Sequence, residues 1–250
     1  MAGHSKFKNI MHRKGAQDKK RAKIFSRLGR EISVAVKESG PDPEKNIRLR
    51  SAIGTAKSLN MPKDNIERAI KKGEGNDPNN HYEEVRYEGY GPDGVAIIVE
   101  AMTNNKNRTA AEIRSSFSKY GGNLGETGSV SFGFKRLGSI ILDKNLAEEE
   151  DLFEFIVENG SNDYEINEDE YNIYCDQKKL HDLNEKLYSR YGKTKFVGLV
   201  WKSENSISVE KENAEKLFKL LNVLEENEDV QLVSSNFEVS DETLMTLTMQ

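Results

Sequence analysis

Between Lys19 and Gly73 the apolar residues fall into three stripes of helical period. Ile24, Phe25, Leu28, Ile32, Ala35 and Val36 are spaced to share one face of a helix, with Lys20, Lys23, Arg27 and Arg30 on the other. Gly40-Pro41-Asp42-Pro43 must end that helix, because proline lacks the amide donor and restricts the residue before it. Asp42 then reads as an N-cap with Pro43 at the first helical position. The helix it opens turns Leu49, Ile53, Ala56 and Leu59 inward and Lys45, Arg48, Arg50 and Lys57 outward. After Asn60-Met61-Pro62 a third helix buries Ile66, Ala69 and Ile70, places Lys71 and Lys72 in its last turn, and is expected to stop at Gly73. Gly73 to Asn80 has the composition of a linker.

The period then shortens to two. Val85–Glu88 and Val95–Ala101 predict a hairpin, and Thr109-Ala-Ala-Glu112 matches a capping box opening a helix that carries Ala110, Ile113 and Phe117 on one side. Gly121-Gly122-Asn123 should end it, and Ser129 to Phe134 alternates as a strand. From Gly138 the pattern reads strand (139–142), acidic helix (147–159), strands (164–166 and 171–175), helix (177–191) and strand (195–202). That β-α-β-β-α-β order is ferredoxin-like. A helix over 213–227 and a strand over 230–239 are left without partners, and economy assigns them to the sheet begun at Val85. The expected fold class is α+β in three domains. These are a basic helical domain with its tail (1–75), a discontinuous ferredoxin-like α/β domain (81–137 with 204–240), and a second ferredoxin-like domain (138–203) inserted in it.

Charge changes this picture most at the N-terminus. The first thirty residues hold ten basic side chains, Lys6, Lys8, Arg13, Lys14, Lys19, Lys20, Arg21, Lys23, Arg27 and Arg30, against Asp18 alone. The whole chain has a formal charge of −5, so this segment stands on an acidic remainder. Clustered like charges repel unless a polyanion neutralises them, and these ten residues are candidate phosphate contacts that would displace condensed counterions. With 36% hydrophobic and 32% charged residues, several small cores are expected in place of one large one. A single cysteine, Cys175, excludes an internal disulfide framework and suits a reducing compartment. No apolar run approaches the roughly 20 residues of a membrane span, and the start lacks the apolar stretch of a secretory signal, so the cytoplasm is expected.

Few motifs point to chemistry. Gly89-Tyr-Gly91-Pro-Asp-Gly94 has the letters of a dinucleotide loop but is followed by a strand pattern, which makes it a hairpin turn. Gly192-Lys193-Thr194 resembles the end of a phosphate-binding loop, yet the required upstream glycine is Leu187. His4, His12, His81 and His181 show no metal spacing, and Cys175 alternates with Tyr171 and Ile173 as a core residue would. No active site assembles, and no metal or cofactor is expected. Gly121 to Gly128 holds four glycines, more than one helix stop needs. A backbone so bare could lie against a phosphate backbone or a partner, which makes Gly122, Asn123 and Gly125 candidate nucleic-acid contacts beside their plain reading as a turn.

Several segments together resemble the YebC family from end to end. They are Met1-Ala-Gly-His-Ser5-Lys6, Arg48-Leu-Arg50, Asn60 through Gly73, Tyr87-Glu-Gly-Tyr90, Asn107-Arg108-Thr109 and Gly121-Gly-Asn-Leu-Gly125. Phe7 departs from the tryptophan of many relatives but keeps an aromatic. The resemblance implies three domains, the third inserted in the second, and no enzymatic activity. Bacterial members are usually described as DNA-binding transcriptional regulators. The mitochondrial relative is a translational activator, and ribosome binding has been proposed for bacterial forms. The expected partner is therefore nucleic acid, either DNA or ribosomal RNA within the ribosome, with no membrane partner. The oligomeric state is left open with a monomer favoured.

Overall fold

The computed structural model describes residues 17–75, 82–161, 163–167, 169–240 and 243. The chain divides into two compact units, residues 1–134 with 203–250, and residues 135–202. The first unit opens with three helices, α1 (Gln17–Ser39), α2 (Ile47–Ser58) and α3 (Lys63–Glu74). Ile32, Ala35 and Val36 of α1 close on Leu49, Ala52 and Ala56 of α2 and on Ile66 and Ala69 of α3, with Phe25, Leu28, Ile53 and Ile70 at the margin. Gly73 is not the stop expected but a buried residue inside α3. A Cβ there would sit 2.6 Å from the Ser33 carbonyl and 2.7 Å from the Val36 Cβ, so its bareness lets α3 lie against α1.

The start of α2 also differs from expectation. Its cap is Asn46, whose side-chain oxygen accepts from the Leu49 amide at 3.0 Å. The Asn46 Nδ2 donates to the carbonyls of Ala35 at 2.7 Å and Gly40 at 2.8 Å. An aspartate could accept but never supply those two donations, and Asp42 instead closes the preceding turn, its carbonyl accepting from Lys45 and Asn46. Leu59, expected in the core, is the half-exposed C-cap of α2.

The hairpin is β1 (Glu83–Tyr90) and β2 (Ala96–Thr103), antiparallel in register from Glu83↔Thr103 to Tyr90↔Ala96. Its turn is the Gly91–Gly94 segment, closed by the Gly91 amide donating to the Val95 carbonyl at 2.7 Å. Helix α4 (Lys106–Lys119) crosses back to β3 (Asn123–Leu124) on the far edge of β1.

The second unit comprises β4 (Phe134–Asp143, from Lys135 on), α5 (Glu149–Glu158), β5 (Asp163–Ile166), β6 (Glu170–Cys175), α6 (Leu180–Tyr191) and β7 (Phe196–Ser203, to Lys202). Its sheet order is β5-β6-β4-β7, so the first and third strands are central, as two crossing βαβ halves require. Ile140, Leu142, Leu152, Ile156, Tyr171, Ile173, Cys175, Leu183 and Leu187 fill its core. Phe153 and Val157, on the same helical stripe by spacing, remain half-exposed at the flank of α5. Burial raises the Cys175 thiol to about 11, which suits packing and disfavours a thiolate.

The chain re-enters the first unit through β8 (Ile207–Ser208), α7 (Lys211–Glu226), β9 (Val230–Ser235) and β10 (Phe237–Glu238). β9 pairs antiparallel with β2, giving the sheet order β3-β1-β2-β9, while β10 pairs in parallel with β8. Val95, Ile97 and Val99 of the hairpin segment meet Ile113 and Phe117 of α4 and Leu217, Leu220, Leu221 and Leu224 of α7. Each such leucine contributes about 1.5–3 kcal/mol relative to exposure. Residues 131–133 form a 3-10 turn where alternation predicted a strand, and Phe132 stands 79% exposed on it.

The second unit has its own sheet, two helices and a closed apolar core. Residues 135–202 expressed alone should therefore melt cooperatively by circular dichroism. A fragment without a thermal transition would show that its core depends on the rest of the chain.

Candidate nucleic-acid interface

The ten basic candidates separate by position. Lys6, Lys8, Arg13 and Lys14 lie outside the described residues, and Lys19 and Lys20 belong to the first turns of α1. Arg21 is exposed, its guanidinium 5.5 Å from the centre of the Phe25 ring. Lys23 is half-buried, and its Nζ makes no hydrogen bond among the described residues. Burial, and then the Arg27 charge, lower its ammonium to about 8, with Glu226, Glu225 and Glu228 pulling the other way.

Arg27 and Arg30 serve a different purpose. The Arg27 Nη2 donates to the Glu225 carbonyl at 2.6 Å. The Arg30 Nη1 donates to the Asp229 carboxylate at 3.0 Å and also reaches the carbonyls of Glu228 and Met102. Both arginines thus fasten α1 to the end of α7 and to the turn before β9. Their guanidiniums are spent inside the protein, which pure charge counting could not foresee.

Asp229 is the centre of that attachment, with a side chain only 5% exposed. It accepts from the Thr109 hydroxyl at 2.7 Å, Arg108 Nη2 at 2.6 Å and the Thr103 hydroxyl at 3.1 Å. The Thr103 oxygen in turn accepts the Asn105 amide at 2.9 Å. Burial opposes the charge, but the Thr109, Arg108 and Thr103 hydrogen bonds, with the Arg30 charge, hold the carboxyl below the usual range. Thr109 is accordingly not the cap expected of it. Asn105 caps α4 by accepting from the Arg108 amide at 3.1 Å, and Thr109 is fully buried on Asp229.

The glycine-rich segment finds structural employment as well. Gly121, at φ +80°, ends α4, and the Gly122 amide donates back to the Phe117 carbonyl at 2.8 Å. A Cβ on Gly122 would lie 2.6 Å from the Tyr90 carbonyl, so β3 can approach β1 only without one. Asn123 is exposed and sits in extended β3 opposite Tyr90, not in the left-handed region its type tolerates. The Gly125 amide donates to the Glu88 carbonyl at 2.8 Å. Further along, the Glu88 carboxylate accepts from the amides of Val130 and Ser131, each at 2.9 Å, and pairs with Arg86 at 2.8 Å. Burial opposes its charge; the Val130, Gly128 and Ser131 amides and Arg86 outweigh it and keep the carboxyl low. Glu88 lies in the Tyr87-Glu-Gly-Tyr90 segment of the resemblance, but its role is not legible there, because a glutamate between a tyrosine and a glycine on a strand carries no periodic signal.

The segments that build these two carboxylate centres are matched by known families. The family model described as TACO1/YebC protein N-terminal domain matches residues 5–76, and that for the TACO1/YebC second and third domain matches residues 82–237. The chain belongs to the YebC family. A solved relative, the crystal structure of a conserved hypothetical protein from Aquifex aeolicus, is 45% identical, covers 88% of this chain and 91% of its own, and superposes with a TM-score of 0.83. Among YebC-family segments of this chain, Arg48-Leu-Arg50 is also structural at its first position. Arg48 pairs with Glu31 at 2.7 Å, with Glu38 at 2.8 Å and with Glu84, linking α2, α1 and β1. Among the described residues no group of His, Cys, Asp and Glu could hold a metal ion, and no helix is long and apolar enough to cross a membrane.

Removing the buried carboxylate should leave Arg30 and two hydroxyls without their acceptor. Asp229→Ala is expected to cost about 3–5 kcal/mol in urea denaturation at pH 7, and Thr109→Val about 1–3 kcal/mol. The folded-state carboxyls of Asp229 and Glu88 are depressed. Their stabilisation is therefore complete above the ordinary carboxyl value of about 4 and is lost as pH falls through the folded values. Asp229→Asn should flatten that acid limb. A variant as stable as wild type at pH 7, with the same acid limb, would contradict this reading.

Proposed function

We propose that the chain is a non-enzymatic, nucleic-acid-binding regulator of gene expression, with DNA as its first candidate partner and ribosomal RNA as the second. The observation that carries this reading is the segregation of charge. Residues 17–75 hold fifteen Lys and Arg against eight Asp and Glu, the preceding sixteen residues add four more cations and no acid, and the chain as a whole is −5. Arg27 and Arg30 are taken up internally, so the contact surface reduces to the tail with Lys6, Lys8, Arg13 and Lys14 and to the start of α1 with Lys19, Lys20, Arg21 and Lys23. Cations clustered in this way suit phosphate contacts, which set position and carry no sequence information directly. Family membership supports a regulatory role, since the second family model carries a transcription-regulator label. Ribosomal RNA is favoured as the second reading by the same chemistry, because phosphate contacts without base readout suit a structured RNA as well as a duplex.

The test uses the full chain, since deleting the helices would strip Arg30 from Asp229. Fluorescence anisotropy with a duplex DNA and a structured RNA of equal length should show an affinity falling by about 10³–10⁵ between 50 and 200 mM salt if 6–10 phosphates are contacted. Replacing Lys6, Lys8, Arg13 and Lys14 together by Gln should weaken binding and flatten the salt slope without changing the melting temperature. The tighter of the two probes at 150 mM salt identifies the partner. Salt-independent binding, or no loss in the quadruple variant, would overturn the reading.

A further inference from the structure

The basic tail is not the only cationic feature of the helical part. Between α1 and α3 lies a cavity of about 220 Å³ lined by Ser26, Gly29, Arg30, Ser33, Arg68, Ala69, Lys72 and Tyr82. Three of these are cations and none is acidic. Small residues make the space, because Gly29 and Ala69 face each other where α1 and α3 are in contact, a Cβ on Gly29 lying 4.0 Å from that of Ala69. The Ser33 hydroxyl is turned down onto the Gly29 and Ala69 carbonyls at 2.9 and 2.8 Å.

The cations around this space are oriented, not loose. Arg68 Nε donates to the Asp64 carbonyl at 3.2 Å and its Nη2 to the Asn65 side chain, which fixes the guanidinium plane and leaves Nη1 without a hydrogen bond among the described residues. Lys72 donates to the Tyr82 hydroxyl at 3.1 Å, leaving two of its three N–H groups to spare. The Tyr82 ring lies 5.4 Å from the Arg30 guanidinium and 5.1 Å from the Lys72 ammonium. Arg30 shares the Asp229 carboxylate with Arg108, and among the described residues Arg68 and Lys72 have no acidic partner. The larger cavity, about 570 Å³ between α4 and α7, has the opposite character, with Glu112 and Glu226 in its lining.

The geometry points to the α1–α3 cavity as a phosphate subsite for a nucleic-acid backbone, with Arg68 and Lys72 as the contacts and Tyr82 as the wall that holds Lys72 in place. This rests on the nucleic-acid reading of function and adds to it a second, structured point of contact beyond the tail. Two such contacts on a rigid frame fix the register of a bound strand, which a tail alone does not. Arg68 and Lys72 stand four residues apart on one helical face, a spacing visible in the sequence. Tyr82 arrives from beyond α3 and has no sequence signal linking it to them.

The test compares full-length wild type with R68Q/K72Q and with K45Q/K57Q, which removes two exposed lysines elsewhere in the helical part, one in the turn before α2 and one on α2. Against the same DNA and RNA probes, R68Q/K72Q should lower affinity about tenfold or more and reduce the salt slope by about 2, while K45Q/K57Q changes neither by as much. Inorganic pyrophosphate titrated into the wild-type protein should shift the backbone amide resonances of Gly29, Ala69 and Lys72, and should not shift them in R68Q/K72Q. Nucleic-acid binding that survives R68Q/K72Q with an unchanged slope would overturn the subsite and leave the proposed function standing. Equal losses in both double variants would reduce the effect to net charge and overturn it too. Pyrophosphate shifts without any nucleic-acid binding would overturn the proposed function and, with it, this subsite as a backbone contact. Melting curves of all three proteins exclude unfolding as the cause, since Arg68 and Lys72 are both exposed.

Discussion

The first unit depends on one buried negative charge. Asp229 stands where β9 begins, and its carboxylate is shared by Arg30 from α1, Thr103 from the end of β2, and Arg108 and Thr109 from the first turns of α4. An ionised group so little exposed is tolerable only because every oxygen is engaged. The consequence is geometric. Three parts of the chain distant in sequence, α1, the β2–α4 junction and the start of β9, must meet at one point for the carboxylate to be satisfied, so α1 cannot pivot on the sheet without abandoning it. The Met102 amide donating to the Asp229 carbonyl at 2.8 Å fixes the same residue from its backbone side.

That constraint sorts the basic residues of the N-terminus. Arg27 and Arg30, near the middle of α1, are consumed by the attachment. Arg21, earlier on the helix, is exposed, and Lys23 between them is half-buried, its pKa lowered mainly by that burial. The proposed phosphate subsite lies at the junction, where Arg30, held by Asp229, forms the floor beneath Tyr82 and Lys72. Rigidity and function connect here, since a cationic surface that is held in place loses less entropy when it meets a polyanion.

Much of the fold was legible because it rests on periodicity. The stripe Ile32, Ala35, Val36, the leucines of α7 and the β-α-β-β-α-β order of residues 139–202 all follow from burying one face of each element. What failed to show depends on single polar atoms or on close approach. Asp42 and Asn46 are both acceptable caps by type, and only the two carbonyls awaiting donors near Asn46 decide between them. Thr109 matches a capping box by spacing, yet a buried carboxylate 120 residues away claims its hydroxyl. Gly73 has the look of a stop, but its cause is the Ser33 carbonyl across the helix pair. For the candidate interface, the sequence shows the clustered charge but does not separate Arg27 and Arg30, which bond within the protein, from the other basic residues.

Native-state hydrogen exchange on the full chain tests most directly whether Asp229 couples the helices to the sheet. In the wild type, amides of Ile32, Ala35 and Val36 in α1 should open with the same free energy as those of Val230 and Val233 in β9, as one cooperative body. In Asp229→Asn the α1 amides should exchange at a lower opening free energy than those of β9, because the helices can then detach without unfolding the sheet. If the substitution lowers protection equally in α1 and β9, or leaves both unchanged, Asp229 is an ordinary stabilising residue and not the link on which the arrangement depends.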